Sequence, residues 1–137
     1  MPTKPKPKPS KTAAPDFDGA FTSLKSVFAK HQRKLAVKAD TAKEHTLVGK
    51  KPSPFPQHKG HPLYFGSVRL GKAYVSLHLP SLYMHPPLAK GISPELKKRM
   101  QGLACFNFKS PPDRVLLAEL KRLADVSMKD WSSKGWL

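Results

Sequence analysis

A β-hairpin signal between Leu63 and Leu79 constrains the fold more than any other feature of the sequence. Apolar and polar residues alternate on both sides of Gly71-Lys72, as in two strands that each bury one face, and Gly at the first central position favours a two-residue turn. Counting outward from this turn pairs Leu70 with Ala73, Arg69 with Tyr74, Val68 with Val75, Ser67 with Ser76, and Phe65 with His78. One face of the hairpin is therefore apolar, whereas the opposite face is mixed and carries Phe65, Ser67, Arg69, Tyr74, Ser76 and His78.

Helices are expected before the first strand and after the last strand of the sequence. Asp16 or Asp18 is a suitable N-cap for a first helix whose apolar residues recur at helical spacing, at Phe17, Phe21, Leu24 and Phe28. Asp113 is a suitable cap for the last helix, whose apolar stripe comprises Leu116, Leu117, Leu120, Leu123 and Ala124. A short helix is predicted between them, with Ser93 as N-cap, Pro94 at the first position and a stop at Gly102.

The remaining segments predict further strands. Residues 35–48 indicate two short strands around a turn from Asp40 to Lys43, and residues 49–62 are rich in Pro and Gly and indicate a loop. The residues from Cys105 to Phe108 alternate as in a strand, with Asn107 beside Cys105 on one side. Together these elements predict a single-domain α+β protein, with an antiparallel sheet packed by N- and C-terminal helices.

The charge balance points to anionic partners. Lysine and arginine outnumber acidic residues by 25 to 9, giving a net charge of +16. Residues 1–15 alternate Lys with Pro and hold four Lys and no acidic residue, which predicts a disordered basic tail. The α+β domain is expected to span residues 16–137 and to keep a charge of +12. The tail is either an electrostatic contact for nucleic acid or a solvated terminus.

Several classes of protein are disfavoured by the sequence. No apolar run approaches the roughly 18 residues that cross a bilayer, and the N-terminus lacks the apolar stretch of a signal peptide, so we expect a cytoplasmic protein without membrane association. Cys105 is the only cysteine, which precludes an intramolecular disulfide and leaves an inert apolar side chain or a reactive thiol as alternatives. Nucleotide-binding and hydrolase motifs are absent and the carboxylates are scattered, so we expect no cofactor, no metal site and no enzymatic activity.

Two segments carry a resemblance to a known family. The residues FGSVRLGKAYVSLHLPSLYMHPPL, from Phe65, and ISPELKKRMQGLACFNF, from Ile92, resemble the YdhG-like family of uncharacterised bacterial domains. The resemblance implies a small α+β fold over the whole body of the chain. Some relatives are described as frataxin-like iron carriers, which depend on an acidic surface, and a body with a charge of +12 does not offer one. Leu103 and Ala104 stand where this family is expected to have Lys followed by a small hydroxyl residue.

The mixed hairpin face is the predicted site. Together with Tyr83, Arg99 and Asn107, the residues Arg69, Tyr74, Ser76 and His78 are expected to form a recess in which an arginine binds a carboxylate or phosphate and Tyr74 stacks. The alternative is a solvated sheet face with cross-strand pairs. We therefore expect a non-catalytic domain that binds a small anionic ligand or a peptide. The alternative function is a nucleic-acid-associated protein in which the tail and the basic helices neutralise phosphates while Phe65 and Tyr74 stack on exposed bases.

Overall fold

The computed structural model describes residues 15–137. The predicted disordered tail of residues 1–15 therefore lies, except for Pro15, outside the described residues. Within residues 15–137, no helix combines the length and the apolar character that crossing a membrane requires.

Six strands of the described residues form one antiparallel sheet, in the order β1-β2-β3-β4-β6-β5. The strands are β1 (Ala36–Asp40), β2 (Glu44–Pro52), β3 (Pro62–Leu70), β4 (Val75–His78), β5 (Met100–Gln101) and β6 (Cys105–Phe108). The α-helices are α1 (Phe17–Ala29), α2 (Ser81–Met84), α3 (Pro94–Lys97) and α4 (Arg114–Ser133), and short 3-10 turns cover Gln32–Lys34, Pro56–His58 and Pro86–Ala89. The predicted α+β class is confirmed, although β2 extends four residues into the segment that was predicted to be a loop.

Capping side chains define where the helices begin. The Asp16 carboxylate accepts a 2.9 Å hydrogen bond from the Gly19 N–H, so of the two candidates Asp16 is the cap and Asp18 lies in the first turn of α1. Asp113 accepts a 2.8 Å hydrogen bond from the Leu116 N–H, which confirms the predicted cap of the last helix. Ser93 caps α3 as predicted, but this helix ends at Lys97. The predicted stop at Gly102 is wrong, because Gly102 has a φ of +76° and lies in the connection between β5 and β6.

The core lies between one face of the sheet and the two long helices. The ring of Phe65 in β3 contacts Phe28 of α1 and Trp131 of α4, with centroid distances of 6.1 and 5.0 Å. The predicted position of Phe65 on the mixed face is therefore wrong, and the buried ring cannot stack on a base. The register shifts by one residue between the pairs Leu47–Gly66 and Val48–Tyr64, and this bulge turns Phe65 towards the helices.

The hairpin between β3 and β4 differs from its predicted register by two residues. Leu70 pairs with Val75, Arg69 with Ser76, and Ser67 with His78, and the Gly71 N–H donates a 2.9 Å hydrogen bond to the Tyr74 carbonyl. The connection is thus four residues long instead of two, and Tyr74 lies in it rather than opposite Arg69. Because side chains alternate with a period of two, a shift of two residues by itself moves no side chain to the other face, and only the bulge at Phe65 changes the predicted arrangement.

Candidate functional site

The sheet face opposite α1 and α4, here called the open face, presents two rows of polar side chains. The strand registers align one row from β2 to β6 and a second, next to it, from β2 to β5. The first row consists of Glu44, Arg69, Ser76 and Asn107, and the second of Thr46, Ser67, His78, Cys105 and Gln101. This is the mixed face that the hairpin pattern predicted, extended across further strands.

The seven predicted site residues all border the open face, but they do not form one cluster. Tyr74, Arg99 and Asn107 line a single recess, and Ser76 is joined to it by a 2.7 Å hydrogen bond from its hydroxyl to Asn107 Oδ1. His78 and Tyr83 line a second recess, and Arg69 lines a third. Four of the seven residues are therefore brought together, and three are dispersed.

The recess that contains Tyr74, here called the Tyr74 recess, has a volume of about 600 Å³. Sequence reasoning missed three of its polar members, Lys98, Gln101 and Lys109. Lys109 was detectable, because it follows Asn107 by two residues and a strand places such residues on the same face. Lys98 and Gln101 carried no comparable signal, since their position depends on where α3 ends and β5 begins.

The Tyr74 recess is strongly positive. Lys98, Arg99 and Lys109 line it together, and within residues 15–137 none of the three forms an ion pair with a carboxylate. Lys109 Nζ lies 5.5 Å from the centroid of the Tyr74 ring, a cation–π distance, and 43% of Tyr74 is exposed. The recess thus combines an accessible aromatic ring with three cationic side chains.

Amide groups connect the floor of this recess to the sheet. Asn107 Nδ2 donates a 2.8 Å hydrogen bond to Gln101 Oε1, while Asn107 Oδ1 accepts the bond from Ser76. Gln101 takes part in the bond with Asn107 as the acceptor, and its Nε2 donates to no group in the described part of the chain. The recess therefore offers a neutral donor beside its cations, which is suited to an oxygen or ring nitrogen of a ligand.

The second recess contains a thiol and an imidazole, the two groups that thiol chemistry would need. Both are in protonation states that disfavour such chemistry. This recess is lined by His78, Tyr83 and Cys105 among others. Burial raises the pKa of the Cys105 thiol above its ordinary value, and burial together with the charge of Arg69 lowers the pKa of His78. Both groups are thus neutral at pH 7, which favours an inert Cys105 over a thiolate nucleophile.

The third recess differs from the Tyr74 recess in holding a carboxylate, Glu44, beside its two cations, Lys38 and Arg69. Arg69 Nη2 lies 3.6 Å from Glu44 Oε2, and Tyr64 forms a hydrogen bond with Ser67 beside them. Burial raises the pKa of the Tyr64 hydroxyl, so this group stays protonated. Because a carboxylate already faces its guanidinium, Arg69 is less available to an anionic ligand than Arg99 is.

The described residues provide no metal centre. In residues 15–137, no three His, Cys, Asp or Glu side chains are close enough together to hold a metal ion. His58, one of the six histidines of the chain, shares a 2.7 Å hydrogen bond between its Nδ1 and the Ser53 hydroxyl. The Tyr74 recess, with its three cations, is suited to an anion and unsuited to a metal cation.

Comparisons of the chain with protein-family models, curated proteins and solved structures give no match.

Proposed function

We propose that this chain is a non-catalytic binding domain whose Tyr74 recess holds an anionic group attached to a flat ring. The observation that carries the proposal is the convergence of Lys98, Arg99 and Lys109, without a carboxylate partner in residues 15–137, around the exposed ring of Tyr74.

Electrostatics favours an anion at this place. Three like charges at one recess repel each other, and a bound phosphate or carboxylate relieves that repulsion. The guanidinium of Arg99 is suited to bidentate hydrogen bonds with such a group. Tyr74 supplies a face on which a planar ring can stack, and Gln101 Nε2 supplies a neutral donor.

A binding role is favoured over catalysis because six of the nine carboxylates have structural partners. Asp16 and Asp113 cap helices, Glu119 accepts hydrogen bonds from the N–H and hydroxyl of Ser93, and three aspartates form pairs with histidines, namely Asp40, Asp125 and Asp130. No Asp or Glu lines the Tyr74 recess in the described part of the chain. General acid–base chemistry would require such a group close to the ligand.

We also propose a cytoplasmic location, since the one cysteine of the chain is a free thiol, as is usual in a reducing compartment.

Membership of the YdhG-like family stays a prediction, based on residues 65–88 and 92–108.

Calorimetric titration of the full chain with AMP tests the proposed function, because AMP combines a phosphate with a planar ring. We expect Arg99→Gln to weaken AMP binding about tenfold, the effect of losing one charge-assisted hydrogen bond. The matched control is Arg122→Gln, which removes the same charge from the exposed side of α4 and should change affinity less than about twofold.

Titration with inorganic phosphate distinguishes the contribution of the cations from the contribution of stacking on Tyr74. Tyr74→Leu should weaken AMP binding by about fivefold or more, because stacking is lost, while phosphate binding stays unchanged. Equal losses from Arg99→Gln and Arg122→Gln, or no binding of either probe, would contradict the proposed function.

A further inference from the structure

The second recess adjoins the Tyr74 recess, because the side chain of Gln101 lines both of them. Lys109 belongs to the Tyr74 recess and Cys105 to the second recess. A step of four residues along an extended strand covers about 13 Å. A ligand held by the cations of the Tyr74 recess can therefore enter the second recess through a short chain.

A further recess of about 410 Å³ continues the second recess, and Pro80 and Tyr83 line both. Its other lining residues include Phe55, Leu63 and Met84. Within residues 15–137, no Lys, Arg, Asp or Glu lines either of these two recesses, which together are called the Tyr83 groove. The open face thus has a positive site at one end and an uncharged, largely apolar groove beside it.

Exposed apolar side chains of the described residues are concentrated along these two sites. Six large apolar side chains are exposed in residues 15–137. Tyr83, Leu103 and Met84 line the Tyr83 groove, with Tyr83 66% and Leu103 58% exposed, and Tyr74 lines the adjoining recess. A contiguous group of exposed apolar side chains with polar residues at its border is typical of a binding surface.

We propose that the Tyr83 groove holds an apolar chain attached to the phosphate of a nucleotide whose base and phosphate occupy the Tyr74 recess. This inference rests on the proposed function, because it names the class of ligand to which the bound ring and anionic group belong.

The distribution of charge between the two sites favours a ligand that is charged at one end only. Lys98, Arg99 and Lys109 attract the phosphate, whereas the groove offers no counterpart for a second charge. An apolar chain lying on Leu103 and Tyr83 is removed from water together with the side chains that it covers, which is favourable. A nucleotide without such a chain would leave the groove exposed.

An apolar chain fits the groove better than a polypeptide does. Gln101 belongs to β5, the edge strand beside both sites, and this strand is two residues long. Gly102 follows it with a φ of +76° and ends the extended edge. A peptide added to this edge would gain few backbone hydrogen bonds, whereas a hydrocarbon chain requires none.

Calorimetric titration of the full chain with two esters of AMP tests the inference. Adenosine 5′-(octyl phosphate) and adenosine 5′-(methyl phosphate) have the same base and the same charge and differ only in the length of the chain. We expect the octyl ester to bind about tenfold or more tightly than the methyl ester, because burying two methylene groups already contributes such a factor.

Leu103→Gln should reduce this ratio of affinities about threefold or more, the effect of exposing roughly one methylene group. It should leave binding of the methyl ester unchanged, since Leu103 does not line the Tyr74 recess. The matched control is Val115→Gln, because Val115 is also exposed, at 72%, but does not line the groove. This control should keep the ratio of the wild type.

Equal affinities of the two esters for the wild type, or equal losses in both variants, would overturn the inference. Displacement of the octyl ester by octyl glucoside at equal concentration would assign the groove to uncharged amphiphiles and overturn it as well. Tighter binding of a phosphotyrosine peptide than of the octyl ester would assign the groove to a peptide. A dimer in sedimentation that Leu103→Gln dissociates would assign it to a second copy of the chain, and these two results also contradict the inference.

The failure of this inference is distinguishable from the failure of the proposed function. If AMP still binds in an Arg99-dependent way while the two esters bind equally, only the assignment of the groove has failed. Absence of binding by AMP and by both esters overturns the proposed function as well.

Discussion

The hydroxyl of Ser76 donates a 2.7 Å hydrogen bond to Oδ1 of Asn107, joining β4 to β6 on the open face. Asn107 in turn donates to Gln101 Oε1, so the amide at the floor of the Tyr74 recess is held by the sheet. We expect Ser76→Ala to lower the free energy of unfolding by about 1 kcal/mol, the usual contribution of one such bond. Urea unfolding measures the loss, and Ser132→Ala, at an exposed site on α4, should change stability by less than about 0.5 kcal/mol.

Gly66 is required by the close approach of α1 to β3. A Cβ atom at this position would lie 2.8 Å from Cζ of Phe28 and 2.9 Å from the carbonyl oxygen of His78. Gly66→Ala should therefore destabilise the protein by about 1–3 kcal/mol, as overpacking usually does. Because Phe28→Leu removes part of the clash, it should cost less in the Gly66→Ala background than in the wild type. Additive losses in urea unfolding would show that Phe28 is not the obstacle.

Asp130 links α2 to the end of α4 and makes stability dependent on pH. Burial raises the pKa of its carboxyl, but hydrogen bonds from Lys134 and His85 outweigh burial and lower the pKa below its ordinary value of 3.8. A lowered pKa in the folded state contributes stability above the unfolded pKa, and this contribution is lost as the pH falls through the folded value.

Asp130→Asn should therefore be less stable than the wild type by about 1–2 kcal/mol at pH 7, and the two proteins should converge as the pH falls below about 4. Thermal unfolding followed by circular dichroism from pH 3 to pH 7 measures the difference. A gap between the two proteins that is the same at every pH would rule out this role of the Asp130 charge.

His78 should titrate below the ordinary histidine pKa of 6.5, because burial and the charge of Arg69 both disfavour its protonation. Its imidazole is thus expected to be neutral at pH 7, and the stability that this provides is lost as the pH falls below about 6.5. Titration followed by NMR measures this pKa directly. Arg69→Gln should raise the pKa only in part, since burial is the larger cause, and an unchanged value would exclude the arginine as a contributor.

The helix ends and the alternation within single strands could be predicted because they depend on nearby residues. Asp16, Ser93 and Asp113 were recognisable as caps, and the alternation from Cys105 to Phe108 placed Asn107 on the open face. These local features are sufficient to establish the α+β class and the face that carries the polar side chains.

Features that depend on distant contacts could not be predicted in this way. Nothing next to Gly71 distinguishes a two-residue from a four-residue connection, so the hairpin register was wrong by two. Phe65 was misplaced because its bulge is stabilised by packing on Phe28 and Trp131, which belong to opposite ends of the chain. Lys98 joins the recess only when α3, β5 and β6 are folded together.

An NMR titration of the uniformly ¹⁵N-labelled full chain with AMP is the most direct test of the Tyr74 recess as a binding site. We predict that the backbone and side-chain amide signals of its lining residues shift together, with one common dissociation constant, at Tyr74, Lys98, Arg99, Gln101, Asn107 and Lys109. Shifts confined to the exposed lysines and arginines of α4, or no shifts at millimolar AMP, would contradict the account.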